Sequence, residues 1–303
     1  MNGHRPVTCN ACGGDLARRF EDVRDPQTLE LFSIALCGSC GLGHTSPQPA
    51  DLSRYYGPAY HGGRHGFTAK YCAWRRVRWL SSQVTSKGTL LDVGCGDGTF
   101  LLQAQAKGWH VVGTEMNPKV ARAQGLDVGE TLDDVAALGP FQAITLWHSL
   151  EHMRDPRGTL ERVRHLLSPG GRIVVAVPNA QGWQARVFGA GWFHLDVPRH
   201  LYHFSERALD SLFGTVGLRV TKKWHHEVEI DLMGWSQSAL NRTSSVPNVF
   251  FHSLTGRPTR VGRAWEAASF VVGGALSALA IPASAGSAWL GQGATLIAVA
   301  EAA

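Results

Sequence analysis

LLDVGCGDGTFL occupies residues 90–101. Its first half, with Thr89, is a short apolar run of the kind that forms a strand buried on both faces. Gly94, Gly96 and Gly98 interrupt the run, and residues 99–107 then carry a helical pattern that Gly108 stops. The same alternation continues outward. Residues 110–114 read as a strand, and Asn117-Pro118 opens a helix that ends before Gly125. A strand follows at 141–146, then a helix opened by Asp155-Pro156 with Leu160, Val163, Leu166 and Leu167 at helical spacing. Pro169-Gly170-Gly171 turns the chain into the β-rich run 172–177. Ser205 caps another helix, and 218–224 and 294–300 read as further strands. Such alternation predicts an α/β fold with a parallel, doubly wound sheet and helices on both faces.

Ligands of such sheets bind at the carboxyl ends of the strands. The 94–98 loop lies at one such end, where its glycines permit close approach to the backbone. Glu115 ends the second strand, and a carboxylate there can accept hydrogen bonds from both hydroxyls of a nucleoside ribose. A dinucleotide would fit the same plan, but its fingerprint needs glycine where Thr99 stands.

Four stretches carry a family resemblance. LLDVGCGDGTFL (90–101), VVGTEMNP (111–118), ITLWHSLEHMRDP (144–156) and LSPGGRIVVAVPN (167–179) resemble, in order and spacing, the motifs of class I S-adenosylmethionine-dependent methyltransferases. The resemblance implies a seven-stranded, Rossmann-like methyltransferase sheet with S-adenosylmethionine as cofactor. It places Asp92, Gly94 and Gly96 on the methionine side and Glu115 at the ribose, with Cys95, Gly98 and Met116 as further cofactor-binding residues. Leu132 and Asp133 would meet the adenine, and Trp147 and His148 would line the cleft. One departure is Gln142, where the family often has Asp.

Cys9 and Cys12, then Cys37 and Cys40, form two CxxC pairs in a chain whose first residues contain no apolar run of a secretory signal. They are expected to supply four thiolates to one structural Zn²⁺ rather than to form disulfides. The run CGSCGLGHTSPQPADLSRYYGPAY (37–60) resembles the N-terminal lobe of bacterial methyltransferases that include sugar C-methyltransferases, which implies that Tyr55, Tyr56 and Tyr60 could reach the acceptor. The expected organisation is a zinc-ribbon module at 1–60, a helical connector at 61–88 and a methyltransferase domain at 89–303. Within that domain, 232–290 is read as a helical, apolar cap inserted before the last strand.

S-adenosylmethionine is already activated, so the protein need only align an acceptor and, where that acceptor carries a proton, remove it. His200, His152 and Glu151 are the catalytic candidates, each in a loop at the carboxyl edge of the sheet. HSLEH (148–152) resembles the ExxEH stretch of ubiquinone-biosynthesis O-methyltransferases, where a divalent cation assists; His148 replaces the first carboxylate, which weakens the case for Mg²⁺.

A hydrophobic fraction of 44% supports a sizeable core, and a net charge of +5 without a dense Lys/Arg run argues against nucleic acid as partner. A small-molecule acceptor is expected, a sugar, a lipid-linked compound or a natural product methylated on a hydroxyl or acidic carbon. The alternatives are an rRNA methyltransferase with a zinc module and a cofactor-sensing zinc-ribbon protein. Residues 267–300 carry no charge, so peripheral membrane contact through this region of an otherwise cytoplasmic enzyme is the second expectation for a partner.

Overall fold

The computed structural model describes residues 3–4, 8–56, 66–84 and 86–303; Tyr60 and the start of the expected connector lie outside the described residues. In chain order the N-terminal part comprises β1 (Gly3–His4), β2 (Leu16–Arg24), β3 (Leu31–Cys37), β4 (Gly43–Ser46), β5 (Gln48–Pro49) and α1 (Gly66–Gln83). Then come β6 (Thr89–Val93), α2 (Thr99–Gln105), β7 (His110–Thr114), α3 (Lys119–Ala123), β8 (Val128–Gly129), α4 (Leu132–Val135) and β9 (Phe141–Trp147). They are followed by α5 (Pro156–His165), β10 (Leu167–Pro178), α6 (Trp183–Phe188), β11 (Tyr202–His203), α7 (Glu206–Thr215) and β12 (Leu218–Trp224). The chain ends with α8 (Val228–Asn241), α9 (Val249–Leu254), α10 (Arg263–Leu279), α11 (Ile281–Trp289) and β13 (Thr295–Ala302).

Two compact units form, and each is discontinuous in sequence. One gathers Met1–Tyr60, Pro178–Ser211 and Trp224–Leu296; the other gathers His61–Val177, Leu212–Lys223 and Ile297–Ala303.

The second unit carries the large sheet, seven strands in the order β12-β13-β10-β9-β6-β7-β8. Strand β6 runs parallel to both neighbours, with Leu91 opposite Val112 of β7 and Ile144 of β9. Leu90, Leu91, Phe141, Ala143, Ile144 and Leu146 are fully buried, as apolar runs covered on both faces require. Strand β10 begins earlier than its β-rich run, because Leu167 already pairs with Phe141 before the Pro169-Gly170-Gly171 irregularity shifts the register. Asp155 caps α5 by accepting from the Gly158 amide at 3.0 Å, with Pro156 in the first turn. Asn117 does not cap α3, which starts at Lys119 with Pro118 in the cap position and no side-chain cap.

The first unit is built on a second sheet, in the order β11-β4-β3-β2. Its edge strand comes from far along the chain: Tyr202 pairs with His44 and His203 with Gly43. The core behind it is shared in the same way, since Val23, Phe32, Ile34 and Tyr55 pack with Trp192, Leu195 and Val197. Arg199, 2% exposed, closes this core; it donates to Asp25 at 3.0 Å, to the Tyr55 carbonyl at 2.9 Å and to both oxygens of Asp196 at 3.0 and 2.6 Å. Removing one partner of a buried pair like this costs about 3–5 kcal/mol, because the other charge is left without compensation. Tyr55 is therefore a core residue whose hydroxyl donates to Glu30 at 2.6 Å. Helices α8 to α11 of this unit cover the expected 232–290 insertion.

His44 is 1% exposed, its ring edge-on to Tyr202 at 5.0 Å, and among the described residues neither ring nitrogen has a hydrogen-bond partner. Burial lowers it to about 4, and His252 is lowered to about 4 by burial and by Arg257. A group depressed from about 6.5 contributes stability that is full above that value and is lost as pH falls through about 4, roughly 3 kcal/mol per residue. Urea unfolding at a series of pH values should show this loss between about pH 6.5 and 4, and His44→Phe should remove about half of it. An acid limb equally steep in that variant contradicts the assignment.

Candidate functional site

In the second unit the carboxyl ends of β6, β7 and β9 meet at the 94–98 turn. Gly94, Gly96 and Gly98 have φ of +78°, +59° and +81°, a left-handed backbone that glycine adopts without strain. A side chain at Gly94 would lie 2.7 Å from Cβ of Ser149, and one at Gly98 would lie 2.3 Å from Leu126. At Gly96 nothing lies within 4 Å of the corresponding point, so there the turn faces open space. The amides of Gly94 and Cys95 both donate to the Thr114 carbonyl, at 2.8 and 2.9 Å, which fastens the turn to the end of β7. The Gly96 amide donates to Glu115 Oε2 at 2.9 Å, so the carboxylate is held against the open side of the turn. These features suit a nucleoside ligand: backbone exposed at Gly96, and an acceptor for ribose hydroxyls at Glu115.

Beneath the turn lies Asp92, 3% exposed, whose Oδ1 accepts from Thr145 Oγ1 at 2.6 Å. Burial pushes its carboxyl up to about 7, against the pull of the Thr145 hydroxyl and Arg76. Burial also raises the Cys95 thiol. Ser149 Oγ donates to the Val93 carbonyl at 2.7 Å and braces the turn from β9's side. Trp147 is boxed by the Arg76 guanidinium, 4.8 Å from its ring centre, and by the edges of Trp79 and Phe100 at 6.0 and 5.8 Å. His148 has φ +51°, an uncommon conformation for a non-glycine residue and one that concentrates at functional sites. Its Nδ1 lies 3.6 Å from Oε1 of the buried Glu151.

The remaining candidates are more scattered. Met116 is 69% exposed beside Glu115. Leu132 is buried at the start of α4, whereas Asp133 points outward to an ion pair with Arg162. His152 is half-buried in the loop after β9. The sequence motifs point to neither Thr145 nor Ser149. The signal for Thr145 was nonetheless present, because a polar residue inside a buried strand needs a partner and Asp92 sits on the next strand.

His200 belongs to the first unit, and Glu151 and His152 to the second. Its Nδ1 lies 2.8 Å from the His194 carbonyl, so in the neutral ring Nδ1 carries the proton and Nε2 is the acceptor. The Arg199 ion pairs fix the loop on which it sits.

The four cysteines Cys9, Cys12, Cys37 and Cys40 converge, with all sulfurs within 4.8 Å of one another. Cys9 and Cys40 are 3.5 Å apart, as are Cys12 and Cys37, and none forms a disulfide. A tetrahedral zinc with Zn–S bonds of about 2.3 Å sets sulfurs about 3.8 Å apart, so the donor set and spacing fit Zn²⁺. Gly14 is required here, since a Cβ would lie 2.6 Å from Ser39 Oγ and 3.2 Å from Cys37 Sγ. Elemental analysis of the purified chain should find about one zinc per molecule, and Cys37→Ser with Cys40→Ser should abolish it. Full zinc occupancy in the double variant would sink the tetrathiolate assignment.

The chain is 32% identical over 146 residues to the ubiquinone biosynthesis O-methyltransferase of Xylella fastidiosa strain M23, covering 43% of this chain and 59% of that protein. The chain thus spans about three-fifths of the length of that relative. A protein of the same name from Pectobacterium atrosepticum is 28% identical over 182 residues, covering 55% of this chain and 68% of the relative. A solved SAM-dependent methyltransferase from Archaeoglobus fulgidus is similar with a TM-score of 0.46 and 16% identity, over 76% of this chain and 93% of that one. Residues 65–223 match the family model described as a methyltransferase domain, and with more than half of its length so matched the chain belongs to the class I S-adenosylmethionine-dependent methyltransferase family.

Proposed function

We propose that this chain transfers a methyl group from S-adenosylmethionine to a small-molecule acceptor bearing a hydroxyl or an acidic carbon. The observation that carries the proposal is the left-handed 94–98 turn with Glu115 tied to its open side. Bound S-adenosylmethionine supplies a methyl group already activated on a sulfonium sulfur. Glu115 accepts the ribose hydroxyls, Gly96 admits the ligand to the backbone, and Trp147 and His148 line the cleft. Asp92 acts from below, holding Thr145 and the β6–β9 junction. The name shared by the two relatives supports methylation at oxygen, and a lipid-linked acceptor fits the uncharged 267–300 region.

For an acceptor that carries a proton, His200 takes it at Nε2, with Nδ1 anchored on the His194 carbonyl. Glu151 and His152 are the competing bases.

Calorimetric titration with S-adenosylmethionine tests the first part. Glu115→Ala should weaken binding about tenfold or more, the loss of charge-assisted hydrogen bonds worth about 1.5–3 kcal/mol. Unchanged affinity would remove Glu115 from the site. For the base, single-turnover transfer of labelled methyl at saturating cofactor should slow by about 10²–10⁴ in His200→Ala with cofactor affinity intact. A wild-type rate in that variant from about pH 6 to 9 moves the role to His152 or Glu151.

A further inference from the structure

Helices α10 and α11 are built inside out. A helix of a water-soluble protein buries its large apolar side chains and shows small and polar ones to solvent. Here the buried positions are Ser269, Gly273, Ser284 and Ser287. The outward positions include Val271 (72% exposed), Leu279 (74%), Ile281 (57%) and Trp289 (86%). The small residues make the packing tight. A Cβ on Gly273 would fall 2.5 Å from the Phe250 ring of α9, and Ser277 Oγ donates to Ser236 Oγ of α8 at 2.9 Å. Close packing through small residues with large apolar side chains turned outward is the arrangement of helices surrounded by lipid.

From this we infer that the α10–α11 face of the first unit inserts into one leaflet of an anionic phospholipid bilayer. Three observations select lipid as the occupant. No charged residue occurs from 267 to 300, whereas the rim of a protein–protein interface is polar and charged. The exposed Arg260 and Arg263 stand at the α10 N-terminus with Trp265, while the part-buried Glu266 accepts from Thr259, leaving a net basic and aromatic border suited to lipid phosphates at the headgroup level. Among the described residues no single helix is long and apolar enough to cross a bilayer. The 17 residues of α10 reach about 26 Å, short of the roughly 30 Å hydrocarbon core, and α11 departs from it at 45°. The inference goes beyond methyl transfer and does not depend on it.

Flotation of the purified full chain with phospholipid vesicles tests it without any activity measurement. The wild type should float with phosphatidylcholine vesicles containing about one-third phosphatidylglycerol, and less well with phosphatidylcholine alone. Leu279→Ser with Trp289→Ser should lower partitioning about a hundredfold, since two large side chains no longer leave water. Arg260→Glu with Arg263→Glu should erase only the preference for anionic vesicles. Brominated-acyl lipids should quench wild-type tryptophan fluorescence, a readout that needs no variant, and Trp289→Phe should reduce the quenching. The inference is overturned if the wild type neither floats nor is quenched, or if the Leu279→Ser, Trp289→Ser protein floats equally well. Self-association of the wild type that those substitutions abolish, without vesicle binding, would overturn it too and assign the face to a second copy of the chain.

Discussion

The left-handed turn after β6 is the constraint on which the methyltransferase unit is organised. It forces the chain out of the sheet plane within five residues, and glycine follows it without strain at Gly94, Gly96 and Gly98. Because the turn is so tight, its amides reach the Thr114 carbonyl and the Glu115 carboxylate, which binds the end of β7 to the end of β6. Ser149 then fits against Gly94, which brings the loop after β9 to the same place. Three strand ends are thereby gathered around one piece of exposed backbone. The buried Asp92 belongs to this arrangement: its hydrogen bond to Thr145 joins the central strands just below the turn.

Most of the large sheet was legible because its signals are local. The central strands β6, β9 and β10 carry apolar runs, and glycine or proline marks where they turn. Strand β8 escaped notice because two residues, Val128 and Gly129, are too few to form a pattern. The Cys9–Cys12 and Cys37–Cys40 pairs were legible because CxxC spacing is itself a geometric statement. The joining of the first unit was not. Asp25 and Arg199 are 174 residues apart, and nothing near either one names the other. Thr145 was within reach of the sequence, as a polar residue in a buried run, but its pairing with Asp92 depends on the strand order. The sense of α10 was hidden for another reason. Its alternation of Ser, Gly and Val is visible, but which side faces outward depends on α8 and α9.

The two units meet polar burial in different ways. In the first, Arg199 gathers two carboxylates and the carbonyl of Tyr55, itself a member of the apolar cluster, so a buried charged side chain is fully compensated. In the second, Asp92 is buried among apolar strands with a hydroxyl partner, and its proton affinity rises to the neutral range. The first arrangement fixes the position of a loop. The second makes the carboxyl responsive to charge placed nearby, and Glu115 is one such charge.

The pairing of β11 with β4 governs the order in which the protein can be made. As the chain leaves the ribosome, residues 1–60 emerge with their cysteines and three strands, but the fourth strand of that sheet, Tyr202–His203, is still unsynthesised. The Asp25 carboxylate must likewise wait for Arg199. More than 100 residues, including most of the large sheet, intervene between the two halves. Closing so long a loop is entropically costly and slow, so the N-terminal segment passes through synthesis with an open β edge and an unfinished core. A nascent segment of that kind is prone to mispairing with other chains. Early metal capture by the two CxxC pairs would restrain it locally until the partner strand arrives.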